Sequence, residues 1–242
     1  MTDSRWQLKP NSKALITEIF ASIQGEGLYV GERQIFVRFV ACNLKCDYCD
    51  TKTNKRIREL AGERVLNEIK DLNKGKIHSV SVTGGEPLLY ADFLQALIPQ
   101  INRLGLKTYL ETNGTLPQEL RKVIRLVNYV AMDIKMPSSG NPACWDEHRE
   151  FLEILNRSHI HPGDFFVKIV LTSKTRAAEI KKATGIIARV SKHIPLILQP
   201  VSPIRQVRAM VPKNIFAFQS LALEHLSIVK VIPQMHKILG VR

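Results

Sequence analysis

Cys42, Cys46 and Cys49 stand within eight residues in the pattern C-x3-C-x2-C. Three thiolates on one short loop can surround a single metal centre. A structural zinc site takes four closed ligands. The remaining cysteine, Cys144, has no partner near it in sequence, so His148 or His236 would have to complete a zinc set. A cubane iron–sulfur cluster normally takes four thiolates. Three leave one iron open to a substrate or cofactor, and an open position marks a reactive centre rather than a structural one.

Further polar groups recur at regular places along the chain. Apolar runs of strand length cover residues 34–40 (QIFVRFV), 78–83 (HSVSVT), 106–111 (LKTYLE), 128–133 (NYVAMD), 165–171 (FFVKIVL) and 195–199 (PLILQ), with a last one at 227–232 (SIVKVI). The cysteines follow the first run, Thr83-Gly84-Gly85-Glu86-Pro87 the second, and Glu111-Thr112-Asn113-Gly114 the third. Asp133-Ile134-Lys135 follows the fourth, Thr172-Ser173 the fifth and Gln199-Pro200 the sixth. Between the runs, apolar residues repeat at helical spacing, as in Val65, Leu66, Ile69 and Leu72, or Phe93, Leu94, Leu97, Ile98 and Ile101. Strands alternating with helices predict βαβ units and a parallel sheet. Six units predict an incomplete (β/α)6 TIM-like barrel; an open doubly wound sheet is the alternative. In a parallel barrel every strand ends on the same face, and sites are built there. Six segments would therefore converge on one mouth. Residues 15–20 (LITEIF) predict an added edge strand.

Composition sets the outer limits. Hydrophobic residues make up 45% of the 242 and charged residues 24%, a globular balance that excludes disorder and collagen. Four cysteines are too few for a disulfide scaffold. No apolar run approaches the roughly 18 residues of a membrane span, and the opening MTDSRWQLKPNSK lacks an apolar signal core. A reducing, cytoplasmic setting is the expectation. The net charge of +13 is spread along the chain rather than blocked, which fits a soluble surface as well as anionic partners. With no linker or low-complexity tract, 1–242 reads as a single core domain with short N-terminal and C-terminal extensions.

The cysteine pattern after a first strand, an aromatic before the last cysteine, and Gly-Gly-Glu-Pro after the next strand together resemble the radical S-adenosylmethionine superfamily. The neighbouring residues narrow this. Ser22-Ile23-Gln24-Gly25-Glu26-Gly27, Gly31, Phe36-Val37-Arg38-Phe39, Cys42-Asn43-Leu44, Cys49-Asp50-Thr51 and the tail Ile232-Pro233-Gln234-Met235-His236-Lys237 are similar to the 7-carboxy-7-deazaguanine synthase family. The likeness runs from Ile16 to His236. It implies a lyase that contracts the ring of 6-carboxy-5,6,7,8-tetrahydropterin with loss of ammonia, on the route to queuosine and archaeosine. It also implies a 4Fe-4S cluster, S-adenosylmethionine, magnesium, an electron donor such as flavodoxin or ferredoxin, and a homodimer. Neither a membrane nor stably bound nucleic acid is expected.

Carried onto this chain, the resemblance makes Cys42, Cys46 and Cys49 the cluster ligands and Thr51 the magnesium ligand, although a lone Thr otherwise reads as a helix cap. Tyr48, Cys49 and Asp50 would meet the adenine side of S-adenosylmethionine; plain packing is the other reading of Tyr48. Gly84 and Gly85 would admit the methionine end, having no Cβ in the way. Glu86 would accept from the ammonium or cap the following helix. Asp133, Ile134, Lys135 and Gln199 would lie near the ribose and carboxylate. Ile23, Gln24, Gly25, Glu26, Arg38 and Thr83 would hold the pterin, with Arg38 on its carboxylate or turned to solvent, and His236 closing over it. Lys168 reads as a partly buried polar contact or an outward residue. Cys144 and the span 137–144 carry no assigned role. Two other classes compete: an activating enzyme for a glycyl-radical partner, with the same cysteine spacing, and a basic RNA-binding module with structural zinc.

Overall fold

The computed structural model describes residues 13–49, 57–161, 163–204 and 206–241. Nine strands form one sheet: β1 (Lys13–Ile23), β2 (Arg33–Phe39), β3 (Arg58–Ala61), β4 (Ser79–Gly84), β5 (Lys107–Thr112), β6 (Tyr129–Asp133), β7 (Phe165–Leu171), β8 (Leu196–Pro200) and β9 (Val229–Val231). Among the described residues six α-helices connect them, α1 (Gly62–Leu72), α2 (Ala91–Arg103), α3 (Pro117–Val123), α4 (Trp145–Asn156), α5 (Ala177–Val190) and α6 (Pro212–Leu223), and a seventh, α7 (Met235–Leu239), follows the last strand.

The sheet order is β3-β1-β2-β4-β5-β6-β7-β8-β9. From β2 to β9 each strand lies parallel beside the one before it. There is no reversal of order, so the right-handed crossovers place the connecting helices α1–α6 on the same side. A doubly wound sheet needs such a reversal. The arrangement is therefore an open, barrel-like α/β sheet of six βα units, closed by β9. The edge strand expected at residues 15–20 is β1, which pairs antiparallel with β2. The four-residue β3, too short and charged to read from sequence, covers its other edge.

The two faces of the sheet carry different residues. Ile35, Val37, Phe39, Val80, Val82, Leu110, Val130, Met132, Val167, Ile169, Leu196 and Leu198 face the helices in the main core. Each such side chain, fully buried, contributes about 1.5–3 kcal/mol. The alternate positions line the inner, concave face. At its strand-start end an apolar plug of Tyr109, Tyr129, Ala131, Phe166 and Ile197 packs against Leu28 and Tyr29. The turn bearing those last two begins at Gly27, with φ +69°, where a Cβ would overlap the Phe166 ring. Above the plug the inner face turns polar. Among the described residues no helix is long and apolar enough to cross a membrane.

Candidate active site

The cysteine loop leaves the end of β2 and is held from below by Gly85 and Glu86, just after β4. Gly85 N–H donates to Phe39 O at 2.9 Å and Glu86 N–H to Ala41 O at 2.6 Å. A Cβ on Gly85 would run into the Ala41 carbonyl, and one on Gly84 into the Phe39 backbone. The missing Cβ atom of Gly84 thus makes room for the end of β2 and that of Gly85 for the start of the cysteine loop. Cys42, Cys46 and Cys49 are free thiols, Cys42 and Cys49 exposed and Cys46 half-buried. Amide N–H groups point at two of the sulfurs: Asn141 Nδ2 lies 3.0 Å from Cys46 Sγ, and Leu44 N and Asn113 Nδ2 lie 3.5 and 3.9 Å from Cys42 Sγ. Donors aimed at sulfur suit thiolate ligands, so the loop fits an iron–sulfur cluster. Among the described residues no three ligating side chains are gathered closely enough to close on a metal by themselves. His148 is no zinc ligand. Its ring is fully buried on α4 and its Nε2 lies 3.1 Å from Asn113 O.

Glu86 is the anchor behind this loop. Its carboxylate, wholly buried, accepts from Leu88 N at 3.0 Å, Thr112 Oγ1 at 2.9 Å and Asn113 N at 2.7 Å. It caps the 3-10 turn Pro87–Tyr90 and ties β4 to the end of β5. Burial pushes its pKa up to about 7 against the pull of those donors.

A polar network runs across the inner face. Glu111 accepts from Gln24 Nε2 at 2.9 Å, Ser81 Oγ at 2.9 Å and Thr83 Oγ1 at 3.0 Å. Gln24 also donates to Gln34 and accepts from Glu26 N–H. The Lys168 ammonium pairs with Glu26 and lies 3.6 Å from Asp133, which pairs with Lys135 at 2.7 Å. Burial would raise the Glu26 pKa, but the Lys168 charge and a hydrogen bond from Gln234 hold it well below the carboxylate range. Burial works the other way on Lys168 and Lys135, yet Asp133 holds both above the usual lysine range, with Glu26 adding to Lys168.

Tyr48 leans from the cysteine loop onto this network. The Lys135 ammonium sits 5.5 Å from its ring centroid, and Tyr48 packs against Val170 and Val201. Asp133 Oδ1 and Gln199 Oε1 are buried acceptors with no partner among the described residues. Two unpaired acceptors beside a lysine and next to the cysteine loop fit a ligand that carries donors and a carboxylate, as S-adenosylmethionine does. The C-terminal segment closes the side of the mouth. Met235 N–H donates to Gly25 O at 2.9 Å, the His236 ring fills the space beside the Gly25 Cα, and Gln234 Nε2 donates to Glu26 at 2.9 Å.

Most of the expected residues therefore share one mouth: Gln24, Gly25, Glu26, Thr83, Asp133, Lys135, Gln199, His236 and Tyr48. Two do not take the expected form. The Ile134 side chain lies in the helix-facing core and its N–H donates to Lys168 O, so only its carbonyl is left to a ligand. Arg38 neither faces open solvent nor stands free for a carboxylate. Its Nε lies 3.0 Å from Glu18, its register partner on β1, and its guanidinium lies over Phe20. Ile23 ends β1 beside Arg33. Asp50 and Thr51 lie outside the described residues. Glu111 and Gln234 stood in motifs without a role of their own, Asn141 carried none, and Lys168 reads either way from sequence. For Glu111 and Lys168 the available signal was a charge inside an otherwise apolar strand.

The chain matches the family model of the radical SAM superfamily over residues 36–182, from β2 into α5. An open α/β sheet with a three-cysteine loop at the mouth is the architecture of that class. The chain is 41% identical to the 7-carboxy-7-deazaguanine synthase of Geobacter sulfurreducens, covering 96% of this chain and 98% of that protein. It is 36% identical to the protein of that name from Methanothermobacter thermautotrophicus, covering 95% and 98%. In fold it is similar to the crystal structure of QueE from Escherichia coli, with a TM-score of 0.63 at 20% identity over 93% of this chain and 95% of that one. The chain belongs to the radical SAM superfamily and, within it, to the 7-carboxy-7-deazaguanine synthase family.

Proposed function

We propose that this chain is a carbon–nitrogen lyase that converts 6-carboxy-5,6,7,8-tetrahydropterin into 7-carboxy-7-deazaguanine with loss of ammonia, supplying queuosine or archaeosine precursors. The observation that carries the reading is the position of the three-thiol loop directly beside a half-buried inner face of paired donors and acceptors. When bound, the cluster and S-adenosylmethionine together supply one-electron cleavage of the sulfonium and a carbon radical that removes a hydrogen atom. Cys42, Cys46 and Cys49 would hold the cluster. Asp133, Lys135, Gln199, Gly84, Gly85 and the backbone around Tyr48, Cys49 and Asp50 would hold S-adenosylmethionine. Glu86 fixes the loop from behind.

For the substrate, a fused ring with amide and amino edges wants donors and acceptors in fixed pairs. Gln24, Thr83 and Glu111 already form such a set, locked on one another, and ring binding would exchange those bonds for ring contacts of the same sense. Glu26, held ionised beside Lys168, adds a further acceptor. Ile23, Gly25 and His236 would bound the pocket. Arg38 would meet the substrate carboxylate by leaving Glu18. The ring of closing contacts from Gln234 and His236 favours a small molecule over the glycyl-radical partner protein of an activating enzyme, which needs an open groove. Magnesium at Thr51, a flavodoxin or ferredoxin donor, a homodimer and a cytoplasmic setting complete the reading.

The deciding experiment incubates the anaerobically reconstituted enzyme with the pterin, S-adenosylmethionine, magnesium and a reductant. Formation of the deazaguanine is expected; cleavage of S-adenosylmethionine without it would sink the substrate assignment. Cys46→Ala should lose iron and activity while Cys144→Ala keeps both, and equal loss from the two would reveal a fourth thiolate. Thr51→Ala should weaken the response to magnesium more than the affinity for S-adenosylmethionine, measured by activity titration.

A further inference from the structure

The span after β6 reaches the cysteine loop from 95 residues away in sequence. It begins with the 3-10 turn Pro137–Ser139, which Glu179 on α5 anchors by accepting from Ser138 N–H at 2.7 Å. Asn141 follows, 8% exposed. Three bonds join the two segments. Asp47 N–H donates to Ser139 O at 2.8 Å, Lys45 N–H donates to Asn141 Oδ1 at 2.9 Å, and Asn141 Nδ2 donates to Cys46 Sγ at 3.0 Å. The second N–H of that amide goes to Ser139 Oγ at 3.0 Å, which fixes its plane. Ser139 is itself held, its hydroxyl donating to Met136 O at 2.6 Å. The amide is thus aimed at the sulfur by three other bonds.

We propose that Asn141 is a positioning residue for the cluster: its amide donates to the Cys46 sulfur and raises the cluster's reduction potential. The inference rests on the cluster reading of the three-thiol loop. The physical reason is charge. An electron delivered by an external low-potential donor makes the cluster more negative, and part of that charge resides on the ligand sulfurs. An N–H donor held at a ligand sulfur stabilises the reduced state more than the oxidised one. No bond is made or broken at Asn141, and the acceptor role toward Lys45 separately fixes where Cys46 sits.

Two variants separate these roles in the reconstituted full chain without S-adenosylmethionine. Asn141→Leu removes donor and acceptor together. Asn141→Asp keeps the acceptor for Lys45 and loses the donor. In an electron-paramagnetic redox titration, both should show about one tenth of the parent's reduced-to-oxidised ratio at the parent's midpoint, a shift of about 59 mV to lower potential for one electron. Asn141→Gln, which retains an amide, should recover part of it. Ser139→Ala, which keeps the Asn141 amide but loses the bond that fixes its plane, should move the midpoint in the same direction by less than either Asn141 variant. Iron and sulfide content is read on every sample. A loaded parent whose midpoint is indifferent to both substitutions overturns this proposal alone, whereas a parent that takes up no cluster overturns the cluster reading with it. If the variants fail to load, protein with Asn141 intact and labelled with side-chain 15N-asparagine decides. A 15N hyperfine coupling to the reduced cluster that persists in Asn113→Asp, which removes the amide near Cys42 Sγ, supports the proposal, and its absence overturns it.

Discussion

At Gly85 one hydrogen does the work that no side chain could. The Ala41 carbonyl occupies the space where a Cβ would stand, and that carbonyl begins the cysteine loop. Gly85→Ala must push either the β4 turn or the loop outward, because both neighbours are backbone. The expected outcome is at least tenfold lower iron uptake with the far-ultraviolet dichroism of the parent; full iron content would show that the loop can shift freely. Gly-Gly before Glu-Pro already signals a special backbone here. It did not say which neighbour needed the room. Glu86 is the converse case. Its cap was legible, since an acid before Pro at the start of a helical turn is a capping pattern, and the structure adds the bonds from Thr112 and Asn113 that only a neighbouring strand can provide.

At the scale of elements, α4 and the β4 turn set opposing pH dependences. Burial holds His148 on α4 down at about 4, against an ordinary 6.5. As pH falls from 6.5 to 4 the unfolded histidine takes a proton that the folded one refuses, so about 3 kcal/mol of stability is lost across that window. Glu86 runs the other way. Its pKa rises from 4.5 to about 7 in the fold, so its contribution is complete below 4.5 and is lost as pH rises through 7, again by about 3 kcal/mol. Between pH 4.5 and 6.5 the two largely cancel. His148→Leu removes one of them. Its stability should rise on acidification from pH 7 to 4.5 where the parent's stays nearly level, measured by urea unfolding at fixed pH values. A variant with the parent's profile would remove His148 from this balance. The type of the longer elements was legible, because periodicity reports local geometry, while the four-residue β3 was not. Burial of a histidine on an amphipathic helix was not, since it depends on which neighbour covers it.

Taken whole, the molecule closes its mouth with residues from its two ends and its middle. Glu26 follows β1, Lys168 stands in β7, and Gln234 precedes α7, with separations of 142 and 208 residues. A charge pair of this kind leaves its survivor stranded when one partner is removed. Lys168→Met should cost about 3–5 kcal/mol, because Glu26 is left buried without its cation while Asp133 keeps Lys135. Adding Glu26→Gln should recover part of that loss, and the urea midpoints of the two variants measure it. If the double variant is no more stable than the single, the stranded Glu26 carboxylate is not the source of the loss.

The order of elements, the side of the sheet on which the chemistry gathers and the three-thiol loop were fixed by local pattern: apolar periodicity, turn residues and cysteine spacing act over a few residues and need no partner from afar. Choice of partner was not. Every residue of β7 is buried, so no alternation with solvent told which way Lys168 points. Arg38 met Glu18 because an antiparallel register set them side by side. Asn141 found Cys46 because β6 ends at the same mouth as β2. Such pairings depend on how the sheet curves in three dimensions, and only the tertiary structure supplies that.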